Sequence, residues 1–219
     1  MREDSETGAK SLSPARPWRL PACGLAVFHG HGDVARLSHY FLPRLLLEGK
    51  RVLFLDGANS ADPRLIARFA RERNVPFAQF NRQIEIARAF TCFQLTELIA
   101  RVPRLREDFP AQVLMVTAFP DLYFDEDVRD WDARVAFEQA LAHLRRWVSL
   151  PLAIALFSAA ETFTPPAARR CFFERVRTSA TEVWAFRAGD NQRLGLTYEP
   201  GRLRWGRSAG LQGSMGVPA

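Results

Sequence analysis

The sequence predicts a single α/β domain, a mostly parallel sheet with helices on both faces and antiparallel strands near its C-terminal end. Three observations predict it. Five short apolar runs are separated by four stretches of helical period. The runs are almost continuously hydrophobic, as strands covered on both faces are. Hydrophobic residues make up 47% of 219 residues, enough to pack one good-sized domain.

The elements follow in order. GLAVFH (24–29) reads as a strand, then a glycine-containing turn, then a helix over 33–48. RVLFLD (51–56) is the second strand. The helix over 62–73 has Asp62 as N-cap, Pro63 in its first turn and Asn74 as its stop. QIEIA (83–87) precedes a helix over 92–101, and QVLMVTA (112–118) precedes one over 128–147. In that last helix the spacing assigns Trp131, Val135, Leu141 and Leu144 to the core. LAIALFS (152–158) is the fifth strand. EVWAFRA (182–188), RLGLTYE (193–199) and RLRW (202–205) read as antiparallel strands, with turns at Gly189-Asp190-Asn191 and Pro200-Gly201. Residues 1–17 are polar and rich in Ser, Pro and charge, which predicts a disordered segment. Residues 206–219 are rich in Gly and Ser and predict a flexible tail. The domain spans 18–205, with no repeat and no linker.

Composition narrows the function. Thirty Lys and Arg against 24 Asp and Glu give a net charge of +6, nearly all of the positive charge from Arg. That balance suits nucleic acid, because Arg grips phosphate bidentately, and it equally suits plain solubility. Cys23, Cys92 and Cys171 are widely spaced in apolar contexts and read as buried thiols in a reducing compartment. The N-terminal residues lack an apolar signal core, and VSLPLAIALFSAA (148–160) is too short to span a bilayer. The expectation is a cytoplasmic protein with no membrane partner.

The first strand, turn and helix have the setting of a phosphate loop, GxxxxGK[ST]. Here the stretch is Gly30-His31-Gly32-Asp33-Val34-Ala35-Arg36-Leu37. The first Gly is kept. The second is Ala35, the Lys is Arg36 and the magnesium hydroxyl is Leu37.

Four segments together resemble the ATPase core of RecA-type recombinases, especially the archaeal and eukaryotic branch that includes RadA. LPACGLAVFHGHGDVARL (20–37) is similar to the family's strand and phosphate loop. VLFLDGANSADPRLIARFARERNV (52–75) is similar to its "IDTEG…PER" unit, with Asp56 and Pro63 in matching places. IEIARAFTCFQLTELI (84–99) resembles its "ARA…..Q…L" segment through Arg88, Ala89 and Gln94. QVLMVTAF (112–119), the long helix and LAIALFS are similar to the Walker B strand and the next core strand. The resemblance covers about residues 20–205 and implies a RecA-like P-loop NTPase core. It places a degenerate nucleotide site at Gly30, Gly32, Arg36 and Asp56.

The departures from the family shape the expectation. The family's catalytic Glu falls at Ala58, its Walker B Asp at Thr117, and its phosphate-sensing Asn-Gln pair at Ser158 and Ala159. Phosphoryl transfer needs positioning and charge neutralisation by these parts. The expectation is no hydrolysis, no resident cofactor, and at most weak ATP binding through Arg36. The Phe-x-x-Ala hook of family filaments is also missing, since residues 1–20 contain no Phe. Long self-assembled filaments are not expected.

Other clusters weigh less. His29, His31, Asp33 and His39 lack a convincing metal-ligand set and read as loop residues. The acidic run 118–132 lacks EF-hand spacing and reads as a solvated turn whose carboxylates favour the next helix N-terminus. It falls where the family has a DNA loop, and acidic groups would repel phosphate. The family's second DNA loop falls near 159–177. There Arg169, Arg170, Arg175 and Arg177 interleave with Phe172 and Phe173, and Arg202, Arg204 and Trp205 form a second basic–aromatic cluster. Such clusters suit single-stranded DNA. The alternative is an amphipathic helix with Phe inside and Arg in water. The leading expectation is a RecA-like pseudo-ATPase, a non-hydrolytic partner or regulator in DNA repair or recombination that docks on a RecA-type or repair protein. Alternatives are an unconventional ATPase using Arg36, or a protein-only scaffold accessory to a repair or mutagenic polymerase.

Overall fold

The computed structural model describes residues 19–31, 33–188, 194–199 and 215–216. In chain order the elements are β1 (Gly24–Gly30), α1 (Val34–Leu47), β2 (Val52–Asp56), α2 (Pro63–Glu72), α3 (Phe77–Asn81) and β3 (Ile84–Arg88). There follow α4 (Cys92–Asp108), β4 (Val113–Thr117), α5 (Asp130–Trp147), β5 (Ala153–Ser158), α6 (Phe172–Arg177), β6 (Glu182–Ala188), β7 (Leu194–Glu199) and β8 (Met215–Gly216). The strands form one sheet of order β3-β2-β4-β5-β1-β6-β7-β8. The first six strands in that order run parallel, β7 pairs antiparallel with β6, and β8 antiparallel with β7. β4 and β5 lie between β1 and β2, whereas the doubly wound dinucleotide-binding order keeps strands one and two adjacent.

Strand alternation divides the core in two. Leu25 and Val27 of β1, Leu53 and Leu55 of β2, Leu114 and Val116 of β4, and Ile154 and Leu156 of β5 share one cluster with α4, α5 and α6. The intervening Ala26, Phe28, Val52, Phe54, Met115, Ala155 and Phe157 share the other with α1, α2 and α3. The right-handed rule for parallel crossovers accounts for the split. The connections from β1 to β2 and β2 to β3 step one way along the sheet, so their helices cover one face. Those from β3 to β4, β4 to β5 and β5 to β6 step back, so theirs cover the other.

Local signals place the helices where the sequence expects them. The Asp62 side chain accepts from the Arg64 amide at 2.8 Å, and Pro63 starts α2. Thr91 caps α4 by accepting from the Gln94 amide, and Gln94 Oε1 accepts from the Phe90 amide at 2.8 Å.

Several expectations change. α4 runs on to Asp108 and α3 is additional. In α5 the buried stripe is Ala133, Ala136, Phe137, Ala140, Leu141, Leu144 and Trp147. Leu141 and Leu144 are core residues as expected, but Trp131 is 73% exposed and Val135 is exposed beside it. The small Ala residues supply the close-packing side of this helix, which turns the larger pair outward. Cys92 is buried, whereas Cys23 and Cys171 are exposed. Met215 and Gly216, assigned from sequence to a flexible tail, pair with β7. The expected strand at 202–205 lies outside the described residues. No helix among the described residues is long and apolar enough to cross a membrane.

Candidate functional site

The parallel sheet exposes its candidate site at the carboxyl ends of its strands. Chains leaving neighbouring strands diverge to opposite faces at three places, between β1 and β5, between β2 and β4 and between β3 and β2. Such switch points open crevices for ligands. The positions that the RecA resemblance singles out converge there. Asp56 pairs in register with Thr117, and His29 with Ser158.

At the β2–β4 switch point Asp56 is fully buried and bonded on both oxygens. Its Oδ1 accepts from the Ser60 amide at 2.9 Å and from the Thr117 hydroxyl at 3.1 Å. Its Oδ2 accepts from the Ala61 amide at 2.9 Å and lies 3.5 Å from Arg88 Nε. Thr117 Oγ1 in turn accepts from the Ala58 amide at 3.1 Å. Asp56 therefore organises the turn 57–61 and is closed off from a ligand. Arg88 also donates to the Ala61 carbonyl at 2.9 Å, so the ARA segment braces the same turn.

At the β1–β5 switch point His29 is buried, not in a loop. Its Nδ1 faces Glu161 at 2.5 Å and its Nε2 faces Glu199 at 3.1 Å, with Phe173 against the ring edge. His39 is also buried, within α1, where its Nε2 accepts from the Asp62 amide at 3.1 Å. Burial holds the His39 pKa below the ordinary imidazole value. Among the described residues no group of His, Cys, Asp and Glu has the arrangement of a metal site.

The loop between β1 and α1 stands where the resemblance places a phosphate loop. Gly30 lies so close to the next strand that a Cβ would collide with the Phe186 carbonyl oxygen. Sheet packing alone accounts for this glycine. Gly32 lies outside the described residues. Leu37, at the place of the magnesium hydroxyl, is buried in the core. Arg36 is 70% exposed and its Nε pairs with Asp33 at 3.0 Å.

Beside this loop is an open cleft of about 590 Å³. Its apolar floor includes Ala35, Ala58, Ala118, Phe157 and Ala159, and its charged lining is Asp33, Asp121, Asp125 and Glu126. Among the described residues no Lys, Arg or His lines it. Asp121 accepts from the Ser158 hydroxyl at 2.6 Å and the Ala159 amide at 2.7 Å, the two positions that the resemblance equates with phosphate sensing. Burial pushes its carboxyl up to about 6 against those two hydrogen bonds. The acidic run is thus a wall of the cleft, and Asp121 is desolvated, not a fully solvated turn residue.

The basic segment also needs correction. Arg169 is only 2% exposed. Its Nε donates to Asp130 at 2.7 Å, and its terminal nitrogens donate to the carbonyls of Tyr123, Asp125 and Val128. This guanidinium fastens the acidic wall from beneath, so it is unavailable to a phosphate. Arg175 forms a bidentate pair with Glu138, which raises the Arg175 pKa and lowers that of Glu138. Arg177 pairs with Glu174 at 3.1 Å and Glu199 at 3.0 Å. Arg170 is exposed. Phe172 is buried against Phe137, ring centroids 4.1 Å apart. Arg202, Arg204 and Trp205 lie outside the described residues.

Sequence reasoning took Asp121 and Glu126 as part of a solvated turn and His29 as a loop residue, and did not single out Phe163, Glu161 or Glu199. For His29 a signal existed, since it continues the parity of Leu25 and Val27 in β1. Phe163 and Glu126 come together only through the fold. Comparison with protein-family models gives no match, and comparison with curated proteins gives none either.

Proposed function

We propose that this chain is a RecA-like pseudo-ATPase that works as a non-hydrolytic partner or regulator in DNA repair or recombination. One observation carries the reading: among the described residues, the charged side chains that line the cleft beside the degenerate phosphate loop are carboxylates. A triphosphate entering it meets four of them, with Arg36 already paired to Asp33. The order of strands and helices along the chain also supports the reading, as does the convergence of the Asp56, Thr117 and Ser158 positions at one sheet edge. A core kept intact after its chemistry is lost retains its use as a binding surface.

Docking on a protein is favoured over direct contact with a DNA strand. Arg169, Arg175 and Arg177 already bond to carboxylates and carbonyls of this chain. The test uses the full chain and a RecA-type recombinase from the same host. Added in equimolar amount, the chain is expected to co-sediment with the recombinase on single-stranded DNA and to change its rate of ATP turnover. Unchanged turnover together with no co-sedimentation would overturn the proposal.

A further inference from the structure

The cleft has the makings of a cation site. Phe163 is 47% exposed at its mouth, with the Phe124 ring centroid 6.1 Å away. Glu126 is exposed and has no hydrogen-bond or ion-pair partner among the described residues. Asp125 uses Oδ1 to accept from the Asp127 amide at 3.0 Å, and its Oδ2 has no hydrogen-bond partner among the described residues. An exposed aromatic face beside uncommitted carboxylates attracts a flat cation through ring quadrupole and charge-assisted hydrogen bonds together.

We propose that this cleft is a socket for an arginine side chain presented by a protein partner. A guanidinium is planar, stacks on an aromatic ring and directs several donors toward carboxylates, which an ammonium group does less well. The apolar floor suits the aliphatic stem of the same side chain. A separate partner is preferred over a second copy because two copies each carry a net charge of +6 and repel. The inference rests on the pseudo-ATPase reading only in requiring that no nucleotide fills the cleft.

The test measures binding of fluorescein-labelled hexa-arginine to the full chain by anisotropy at physiological salt. Saturable binding is expected, weakened about tenfold by Glu126→Lys and severalfold by Phe163→Ala, with hexa-lysine binding more weakly. Glu126→Gln is the gentler variant and should weaken binding in the same direction. Glu97→Lys, on the exposed side of α4, serves as the control and should change nothing. Equal binding by wild type and Glu126→Lys would overturn the socket, as would an equal loss in Glu97→Lys. A wild-type dimer in sedimentation, abolished by Glu126→Lys, would assign the socket to a second copy and overturn the separate partner. ATP binding is measured without the peptide, since ATP pairs with hexa-arginine in solution, by titrating a fluorescent ATP analogue into the chain. Tight binding of the analogue that Arg36→Ala abolishes would overturn the absence of nucleotide from the cleft, while hexa-arginine binding that responds to Glu126→Lys would leave an arginine-binding cleft in place.

Discussion

Asp121 shows how one desolvated carboxyl ties stability to pH. Its folded pKa is raised from 3.8 to about 6. Between those values the folded protein holds more protons than the unfolded chain. The stability contributed by this residue therefore falls as pH rises from about 4 to about 6, and is level above that. The full span is about 3 kcal/mol. Asp121→Asn removes the titration: its one carboxamide oxygen accepts from the Ala159 amide, and its NH2 donates to the Ser158 hydroxyl oxygen. Urea denaturation across pH 4–7 should show the variant gaining on wild type by about 3 kcal/mol through that window. A constant difference would contradict the assigned burial. Sequence alone could not give this role. Asp121 stands in a run with five other acidic residues, and its bonds to Ser158 and Ala159 cross 37 and 38 positions of chain. Arg169 was hidden for the same reason: an Arg in a basic–aromatic stretch reads as surface until the carbonyls it ties together are known.

The elements were legible where local chemistry fixes them. Asp62 with Pro63, and Thr91 with Gln94, mark helix starts by bonds that span two or three residues. Four strands, β1, β2, β4 and β5, were legible because burial on both faces leaves continuous apolar runs, whereas β3 is a partly buried edge strand and alternates. The facing of α5 was not legible. Both phases of that helix carry large apolar residues, and the choice is made by Ala133, Ala136 and Ala140, which allow close approach. The β1–turn–α1 unit carries two competing explanations for Gly30, phosphate approach and sheet packing. Gly30→Ala separates them. If β1 must lie against the Phe186 carbonyl, the variant loses about 2 kcal/mol of stability with no nucleotide present. Denaturation at wild-type stability would return this glycine to a ligand role.

At the scale of the molecule, the topology brings the ends of β1, β5, β2 and β4 to two of the sheet's switch points, and there the resemblance to an ATPase core and the chemistry of this chain diverge. The sheet places Asp56, Ala58, Thr117, Ser158 and Arg36 around one edge. Asp56 and Thr117 bond to each other, Ser158 bonds to Asp121, Leu37 is in the core and Arg36 pairs with Asp33. The cleft left between them is negative where a nucleotide site is positive. On the proposed reading this edge performs no phosphoryl transfer. The decisive measurement is phosphate release from magnesium-ATP by the purified chain, with and without single-stranded DNA. Wild type and Arg36→Ala are expected to show the same background rate. Turnover by wild type that the substitution abolishes would contradict it.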